Sequence, residues 1–203
     1  YLIFLDADDL IDEKCIEIRF KIMNSKRELA FSVFKMGTFY KNIGDSSSVW
    51  NDFSGHHLDR FLSHDLPWAI CSVIWRKKEF IRIGSFNTDF TRLQDVELHT
   101  RALINKMSYK IVKDSKVDCY YRINLDRITE TYFQLLNSKL ESTIFYVEFF
   151  TKNLIENNLE SKLKFLKGTL FKSLSEIFSS FHLMLISNQE KEDLLKMYLD
   201  PIF

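Results

Sequence analysis

The chain has 203 residues, of which 46% are hydrophobic and 28% charged, and its formal net charge is zero because 28 basic residues balance 28 acidic ones. This length suits one medium domain or a domain with an appendage, and the composition is that of an ordinary globular protein. The balanced charge excludes the overall basic field of many nucleic-acid-binding proteins, so we expect no nucleic-acid partner.

The first segment joins an apolar run, residues 1–5, to three carboxylates at Asp6, Asp8 and Asp9. Such a run is typical of a buried strand that ends at the carboxyl edge of a parallel sheet, where open α/β folds bind ligands. Carboxylates crowded there repel one another unless a cation shares them, and oxygen ligands suit Mg²⁺ or Mn²⁺ with substrate phosphates. The competing interpretation is a solvated loop that contains a helix-capping aspartate.

The residues after this acidic cluster predict short helices and strands in turn. Asp12 is predicted to cap a first helix, and Gly37 is predicted to mark a bulge in the β structure that follows. We predict helices over residues 12–24, 57–62 and 94–106 and before Gly84, strands over residues 29–40, 70–75, 109–112 and 117–123, and a surface loop over residues 42–55.

From residue 131 the apolar residues recur at helical spacing. We predict a long helix up to a break at Asn157 and Asn158, a second over residues 163–185 and a shorter one over residues 190–199. The expected arrangement is a helical region packed on the α/β part, because large exposed apolar patches are rare in monomers. Self-association and contact with a membrane surface are the alternatives.

No apolar run is long enough to span a bilayer, and no signal peptide is visible. The three cysteines lack zinc-site spacing, and their odd number argues against a disulfide framework. A reducing compartment fits this usage. We therefore expect a cytoplasmic location, with the inner face of the membrane as the alternative.

A second acidic group opens the predicted helix over residues 94–106. Asp95 and Glu97 are two positions apart and so do not share a helical face. One can face a cleft while the other caps the helix or forms a salt bridge. The helix macrodipole favours an ionised carboxylate there, and an ionised carboxylate in a cleft can act as a general base. Helix capping alone is the competing interpretation.

The order of these pieces resembles family 2 glycosyltransferases of the GT-A fold. The resemblance extends over residues 1–129 and rests on residues 4–9, on residues 72–76 with 83–86, and on residues 94–98. It implies an α/β fold class, an incomplete GT-A (Rossmann-like) mixed sheet followed by an α-helical C-terminal region. The implied division is a glycosyltransferase domain over residues 1–129 and a helical appendage over residues 130–203.

The resemblance also assigns the metal, the base and the acceptor side. Asp6 and Asp8 fill the DxD positions that bind Mn²⁺ or Mg²⁺ and the donor diphosphate, with Asp8 as the more direct metal ligand. Asp95 matches the catalytic base, and Gln94 lies beside it on the acceptor side. Trp68 is a candidate to stack on an acceptor sugar, although core packing is the commoner role of such a ring.

Two arginines are candidates to approach the diphosphate, since a guanidinium group suits phosphate. These are Arg122 and Arg127, in a segment that resembles the closing segment of the family. Asn124 stands where the family usually has a histidine. A solvated strand end is an equally good interpretation of both arginines.

The implied function is inverting transfer of a sugar from a nucleotide-sugar donor, expected to be a UDP-sugar, to a saccharide or lipid-linked hydroxyl acceptor in cell-surface polysaccharide synthesis. The family's nucleobase-binding half would precede residue 1, so we expect the chain alone to be inactive and to bind donor weakly. One alternative is a haloacid-dehalogenase-like phosphatase, which leaves Gln94 and Asp95 without a role. Another is a non-catalytic interaction module that forms a homo-oligomer through its helical tail.

Overall fold

The computed structural model of the chain describes residues 1–123 and 131–199. They form a mixed α/β body, residues 1–123, and a helical tail, residues 131–199. The strands are β1 (Leu2–Ile3), β2 (Leu10–Ile11), β3 (Phe31–Val33), β4 (Met36–Phe39), β5 (Val73–Trp75), β6 (Tyr109–Ile111) and β7 (Cys119–Arg122). The helices are α1 (Cys15–Ser25), α2 (His57–Leu62), α3 (Lys77–Arg82), α4 (Gln94–Ile104), α5 (Tyr132–Glu156), α6 (Leu163–His182) and α7 (Asn188–Leu199), with single 3-10 turns at Ile70–Ser72 and Glu160–Lys162.

The strands of the body form two small sheets. The strand order is β1-β5-β3-β6 in the first sheet and β2-β7-β4 in the second. β3 is parallel to β6 and β4 is parallel to β7, whereas the other pairs are antiparallel. The predicted α/β class with a helical C-terminal region is therefore confirmed, but with two mixed sheets in place of the predicted one.

The first strand differs from its prediction. β1 contains only Leu2 and Ile3, pairs antiparallel with β5 on one side and forms the edge of its sheet. Its residues are half-buried, and Leu5 is exposed. The prediction of a buried strand in a parallel sheet is wrong, because an apolar run specifies that a strand forms but not which neighbours it pairs with.

Two further local predictions need correction. α1 begins at Cys15 with Lys14 at its N-cap, and the Asp12 carboxylate instead accepts a 2.9 Å hydrogen bond from the Lys14 amide in the turn before the helix. The predicted strand over residues 29–40 is two strands, since the chain passes from one sheet to the other at residues 34–35. Gly37 lies within β4, paired with Tyr120.

A buried arginine joins α1 to two other segments of the body. The Arg19 guanidinium donates to both carboxylate oxygens of Asp118, at 2.8 and 2.6 Å, and to the Cys71 carbonyl oxygen at 2.7 Å.

The three cysteines, which are distant in sequence, are all unpaired and buried. Burial raises the pKa of the Cys15 thiol to about 12, which leaves it protonated and unreactive.

The helical tail shares its core with the body. Tyr146 and Phe150 of α5 and Leu166 of α6 belong to the same buried cluster as Phe61 and Trp68 of the body. The tail therefore packs on the body, as its apolar helix faces predict. A second cluster joins α5, α6 and α7 to one another at the far end of the tail.

Candidate functional site

A cavity of about 620 Å³ opens between the acidic loop that follows β1 and the start of α4. Asp6 lines one side, and Gln94 and Asp95 line the other. The structure thus brings together two of the sequence motifs, which are far apart in the chain. Asp8, Trp68 and Arg122 are not part of its lining, which comes from Phe4, Leu5, Asp6, Ile70, Phe86, Asn87, Thr88, Phe90, Gln94 and Asp95.

The acidic loop forms a tight turn in which the three carboxylates have different environments. The Asp9 amide donates to the Asp6 carbonyl oxygen at 3.1 Å. The Asp6 side chain is exposed, that of Asp8 is half-buried and that of Asp9 is buried. Burial raises the pKa of Asp9 above its usual value. A hydrogen bond from the Arg122 amide to Asp9 Oδ1, 3.0 Å long, opposes this rise because it stabilises the ionised form. Asp9 therefore anchors the loop, and Asp6 is its most accessible carboxylate.

Arg122 holds the acidic loop in place through the backbone. Its Nε donates to the Asp8 carbonyl oxygen at 2.9 Å and its Nη1 to the Tyr40 carbonyl oxygen at 3.3 Å. The guanidinium carbon lies 4.4 Å from the centre of the Phe39 ring. These contacts give Arg122 a positioning role for the loop that bears Asp8. Arg127 and Asn124 lie outside the described residues.

Asp95 lies half-buried in the first turn of α4. Burial raises the pKa of its carboxyl group above the usual range, backbone amides such as that of Val96 oppose this rise, and the negative charge of Asp6 adds to it. Gln94, next to it, donates from Nε2 to the Thr91 carbonyl oxygen at 2.8 Å and so stabilises the turn before the helix.

The other acidic residue of this turn has a structural partner. Glu97 is fully buried and accepts two hydrogen bonds from Arg101, at 2.5 and 2.8 Å. Arg101 also donates to the carbonyl oxygens of Ile83 and Ser85. A Cβ at Gly84, between them, would lie 3.1 Å from Arg101 Nη1. The sequence prediction that one carboxylate faces a cleft while the other forms a salt bridge therefore matches Asp95 and Glu97.

The structure contradicts the proposed acceptor-stacking role of Trp68. Its side chain is 1% exposed, and its ring packs edge-on against His57 and Phe61 at centroid distances of 5.0 and 4.9 Å. No ring face is left for a sugar. A tryptophan beside a proline can lie in a surface loop or in the core, and the sequence does not distinguish the two.

The apolar wall of the cavity includes a ring from the segment that the family resemblance relates to the acceptor side. Phe86 lines the cavity and packs on Phe4 and Phe80, with ring centroids 4.8 and 5.5 Å apart. Phe86 belongs to the segment of residues 83–86 that carries part of the family resemblance. That resemblance is the only signal in the sequence that could have placed an aromatic ring here.

The carboxylates of the acidic loop suit a metal ion that arrives with a phosphate group. Within residues 1–123 and 131–199, no three His, Cys, Asp or Glu side chains are grouped closely enough to hold a metal ion by themselves. Mg²⁺ usually binds through one or two carboxylates together with substrate phosphates and water, not in a protein-only cage. Asp6, at the cavity, and Asp8, in the same turn, supply carboxylates of that kind.

None of the described helices combines the length and the apolar composition that crossing a lipid bilayer requires. Two of the sequence motifs meet at the cavity that Asp6 and Asp95 line. Neither the protein-family models nor the curated proteins that were searched contain a match to this chain.

Proposed function

We propose that the chain carries the metal-binding and base residues of an inverting glycosyltransferase. The reaction would move a sugar from a nucleotide-sugar donor, a UDP-sugar, to a hydroxyl group of a saccharide or lipid-linked acceptor. The observation that carries the proposal is that Asp6 and Asp95 line one cavity. Inverting transfer needs positive charge at the leaving diphosphate and a carboxylate that accepts the proton of the attacking hydroxyl.

The described side chains divide these tasks between the acidic loop and the start of α4. Asp6 and Asp8 would hold Mn²⁺ or Mg²⁺, which when bound neutralises charge on the diphosphate. Asp95 accepts the proton of the acceptor hydroxyl, and its raised pKa makes it a stronger base than an exposed carboxylate. Phe86 offers an apolar face against which a sugar ring can pack.

Paramagnetic broadening by Mn²⁺ tests the metal site even when binding is weak. With Mn²⁺ and UDP added to the isotope-labelled chain, we expect the amide signals of residues 5–9 and 94–96 to broaden in NMR spectra. Asp6→Asn should remove the broadening, whereas Asp114→Asn, at an exposed carboxylate outside the cavity, should leave it unchanged. Equal broadening in both variants, or none in the unmodified chain at millimolar Mn²⁺, would contradict the proposal.

A phosphatase assay distinguishes the alternative enzyme class. We expect no Mg²⁺-dependent release of phosphate from simple phosphomonoesters. Release that is lost in Asp6→Asn would favour the haloacid-dehalogenase-like reaction, in which the first aspartate of the motif is the nucleophile, and would contradict sugar transfer.

An exposed apolar patch supports self-association through the tail as a second property of the chain. Phe178, Leu183 and Met184, at the end of α6, are 49%, 66% and 91% exposed. A twofold contact would bring the same patch of two copies together. We expect a concentration-dependent dimer in light scattering and a monomer for Leu183→Glu. A monomer at every concentration of the unmodified chain would rule out this contact without affecting the catalytic proposal.

A further inference from the structure

A second cavity, of about 310 Å³, lies where the body meets the helical tail. Three cationic side chains line it from different elements: Arg92 before α4, Lys139 on α5 and Lys172 on α6. Glu176 is the one carboxylate among its lining residues in the described part of the chain. The cavity therefore has excess positive charge, and its volume is at the lower end of that of small-molecule pockets.

The three cations keep most of their hydrogen-bond donors available. Lys139 Nζ donates to Glu176 Oε1 at 2.8 Å, and Lys172 Nζ donates to the Ser63 carbonyl oxygen at 2.8 Å. Arg92 Nη1 donates to Ser138 Oγ at 3.2 Å. Within the described residues these are one bond for each cation, whereas an ammonium group has three donors and a guanidinium group five.

A buried imidazole nitrogen at the same cavity also lacks a partner. His64 Nε2 is shielded from solvent and makes no hydrogen bond to any described residue. Burial, together with the nearby charge of Lys172, lowers the pKa of His64 to about 4, so the ring is neutral at neutral pH. An unpaired buried polar atom is costly, and a ligand in the cavity can relieve that cost.

The hydroxyl groups of the lining add acceptors. Ser142 Oγ donates to the Ser138 carbonyl oxygen at 2.9 Å, and Thr143 Oγ1 donates to that of Lys139 at 2.8 Å. Because these hydroxyl protons are used within α5, each hydroxyl oxygen has lone pairs that can accept a hydrogen bond from a ligand. A ligand that combines an oxyanion with hydroxyl groups matches both the cations and these oxygens.

We propose that this cavity binds the phosphate group of a small phosphorylated molecule, with Arg92, Lys139 and Lys172 as its donors. Donors on three separate elements can approach a tetrahedral oxyanion from several sides, and charge-assisted hydrogen bonds to phosphate are among the stronger ones in proteins. The site is separate from the Asp6 and Asp95 cavity and does not depend on the proposed reaction there.

A ligand in this site would touch the turn that positions Asp95. Leu93 lines the second cavity, while Gln94 and Asp95, the next two residues, line the first. The backbone φ angle of Leu93 is 64°, in the left-handed region that leucine rarely adopts. Phosphate bound to Arg92 would therefore hold this strained turn and, through it, the start of α4.

Calorimetric titration with inorganic phosphate, without divalent metal and at constant ionic strength, tests the site. We expect one binding site, weakened about tenfold in Lys139→Gln and in Lys172→Gln, the loss of roughly one charge-assisted hydrogen bond. Lys167→Gln is the matched control, because Lys167 is exposed on the same helix as Lys172 and does not line the cavity. Absence of binding by the unmodified chain, or equal affinity in all three variants, would overturn the proposal.

A second variant keeps the test decisive if loss of a lysine unfolds the chain. Ser173→Phe fills the cavity without removing a cation and should abolish binding, while Asp6→Asn at the other cavity should leave binding unchanged. In NMR spectra, phosphate should shift the amide signals of residues 92–95, and shifts confined to lysines outside the cavity lining would overturn the proposal. Tighter binding of glucose phosphate than of inorganic phosphate would support a phosphate ester as the ligand, whereas binding that is no tighter would overturn the assignment to a phosphorylated molecule.

Discussion

Asp95, the proposed base, has a cost to stability. Its pKa is raised by burial in the folded chain, so the unfolded chain releases this proton at lower pH. The contribution of this group to the free energy of unfolding therefore falls as pH rises from about 3.9, the usual aspartate pKa, through the raised value.

Replacing Asp95 with asparagine should stabilise the chain at pH 7. The substitution removes the poorly solvated charge, so urea unfolding should show a higher free energy of unfolding at pH 7 and no difference below pH 4. Asp114→Asn, at an exposed position, is the control and should leave the free energy of unfolding at pH 7 nearly unchanged. Equal or lower stability of Asp95→Asn at pH 7 would contradict the electrostatic explanation.

Under the proposed function, the same substitution should remove sugar transfer. Loss of a general base typically lowers the rate about 10²- to 10⁴-fold. With Asp95 as the base, kcat/KM of the unmodified protein should fall on the acid side at a pH above the usual carboxyl pKa, since the carboxylate must be ionised to accept a proton. A variant that is more stable yet inactive would identify a residue retained for function, whereas full activity in Asp95→Asn would exclude it as the base.

Arg19, unlike Asp95, is expected to stabilise the chain, since its buried charge is paired with that of Asp118. Removing one partner of a buried ion pair typically costs about 3–5 kcal/mol, because the other charge is left without compensation. We therefore expect Arg19→Met to lower the free energy of unfolding by about that amount. Lys21→Gln, in an exposed pair with Glu17 on the same helix, should have no measurable effect. Similar small effects of both variants in urea titrations would show that the Asp118 pair is not important for stability.

At the scale of single elements, two glycines should respond to alanine in opposite directions. A Cβ at Gly37, in β4, would lie 2.9 Å from Val117 Cγ1 and 3.1 Å from the Tyr120 ring, whereas a Cβ at Gly168, in α6, meets nothing within 4 Å. Gly37→Ala should destabilise the chain by about 1–3 kcal/mol through overpacking. Gly168→Ala should stabilise it by roughly 0.5–1 kcal/mol through helix propensity. Thermal unfolding measures both, and changes of the same sign would contradict this account.

The elements also show which features a sequence can predict. The helices α2 and α4 begin at the predicted residues, His57 and Gln94, because apolar periodicity is a local property of the sequence. The antiparallel pairing of β1 with β5 and the existence of β2 depend on partners far away in the chain, which local patterns do not encode.

The candidate site, too, depends on contacts between distant residues that local sequence patterns do not predict. Asp6 and Asp95 could be paired only through the family resemblance, since no spacing rule connects them. The second cavity had no sequence signal at all, because Arg92, Lys139 and Lys172 come from three elements that only the packed tail brings together.

At the scale of the whole molecule, the core shared by body and tail predicts a single unfolding transition. All three tryptophans, Trp50, Trp68 and Trp75, lie in the body, whereas the long helices α5 and α6 lie in the tail. Tryptophan fluorescence therefore reports on the body, and far-ultraviolet circular dichroism reports largely on the tail. Coincident transitions would show one cooperative unit.

Tyr146 provides the strongest test of this coupling. Its ring is fully buried, and its hydroxyl lies 2.7 Å from Thr100 Oγ1 and donates to the Phe61 carbonyl oxygen at 3.2 Å, which links α5 to α4 and α2. Tyr146→Phe leaves both partners buried and should cost about 1–3 kcal/mol. If body and tail form one unit, both probes should shift by the same amount. Tyr132→Phe, on the same helix but packed against the second cluster at the far end of the tail, is the control and should have little effect. A shift of the dichroism signal alone in Tyr146→Phe would show that the tail unfolds independently.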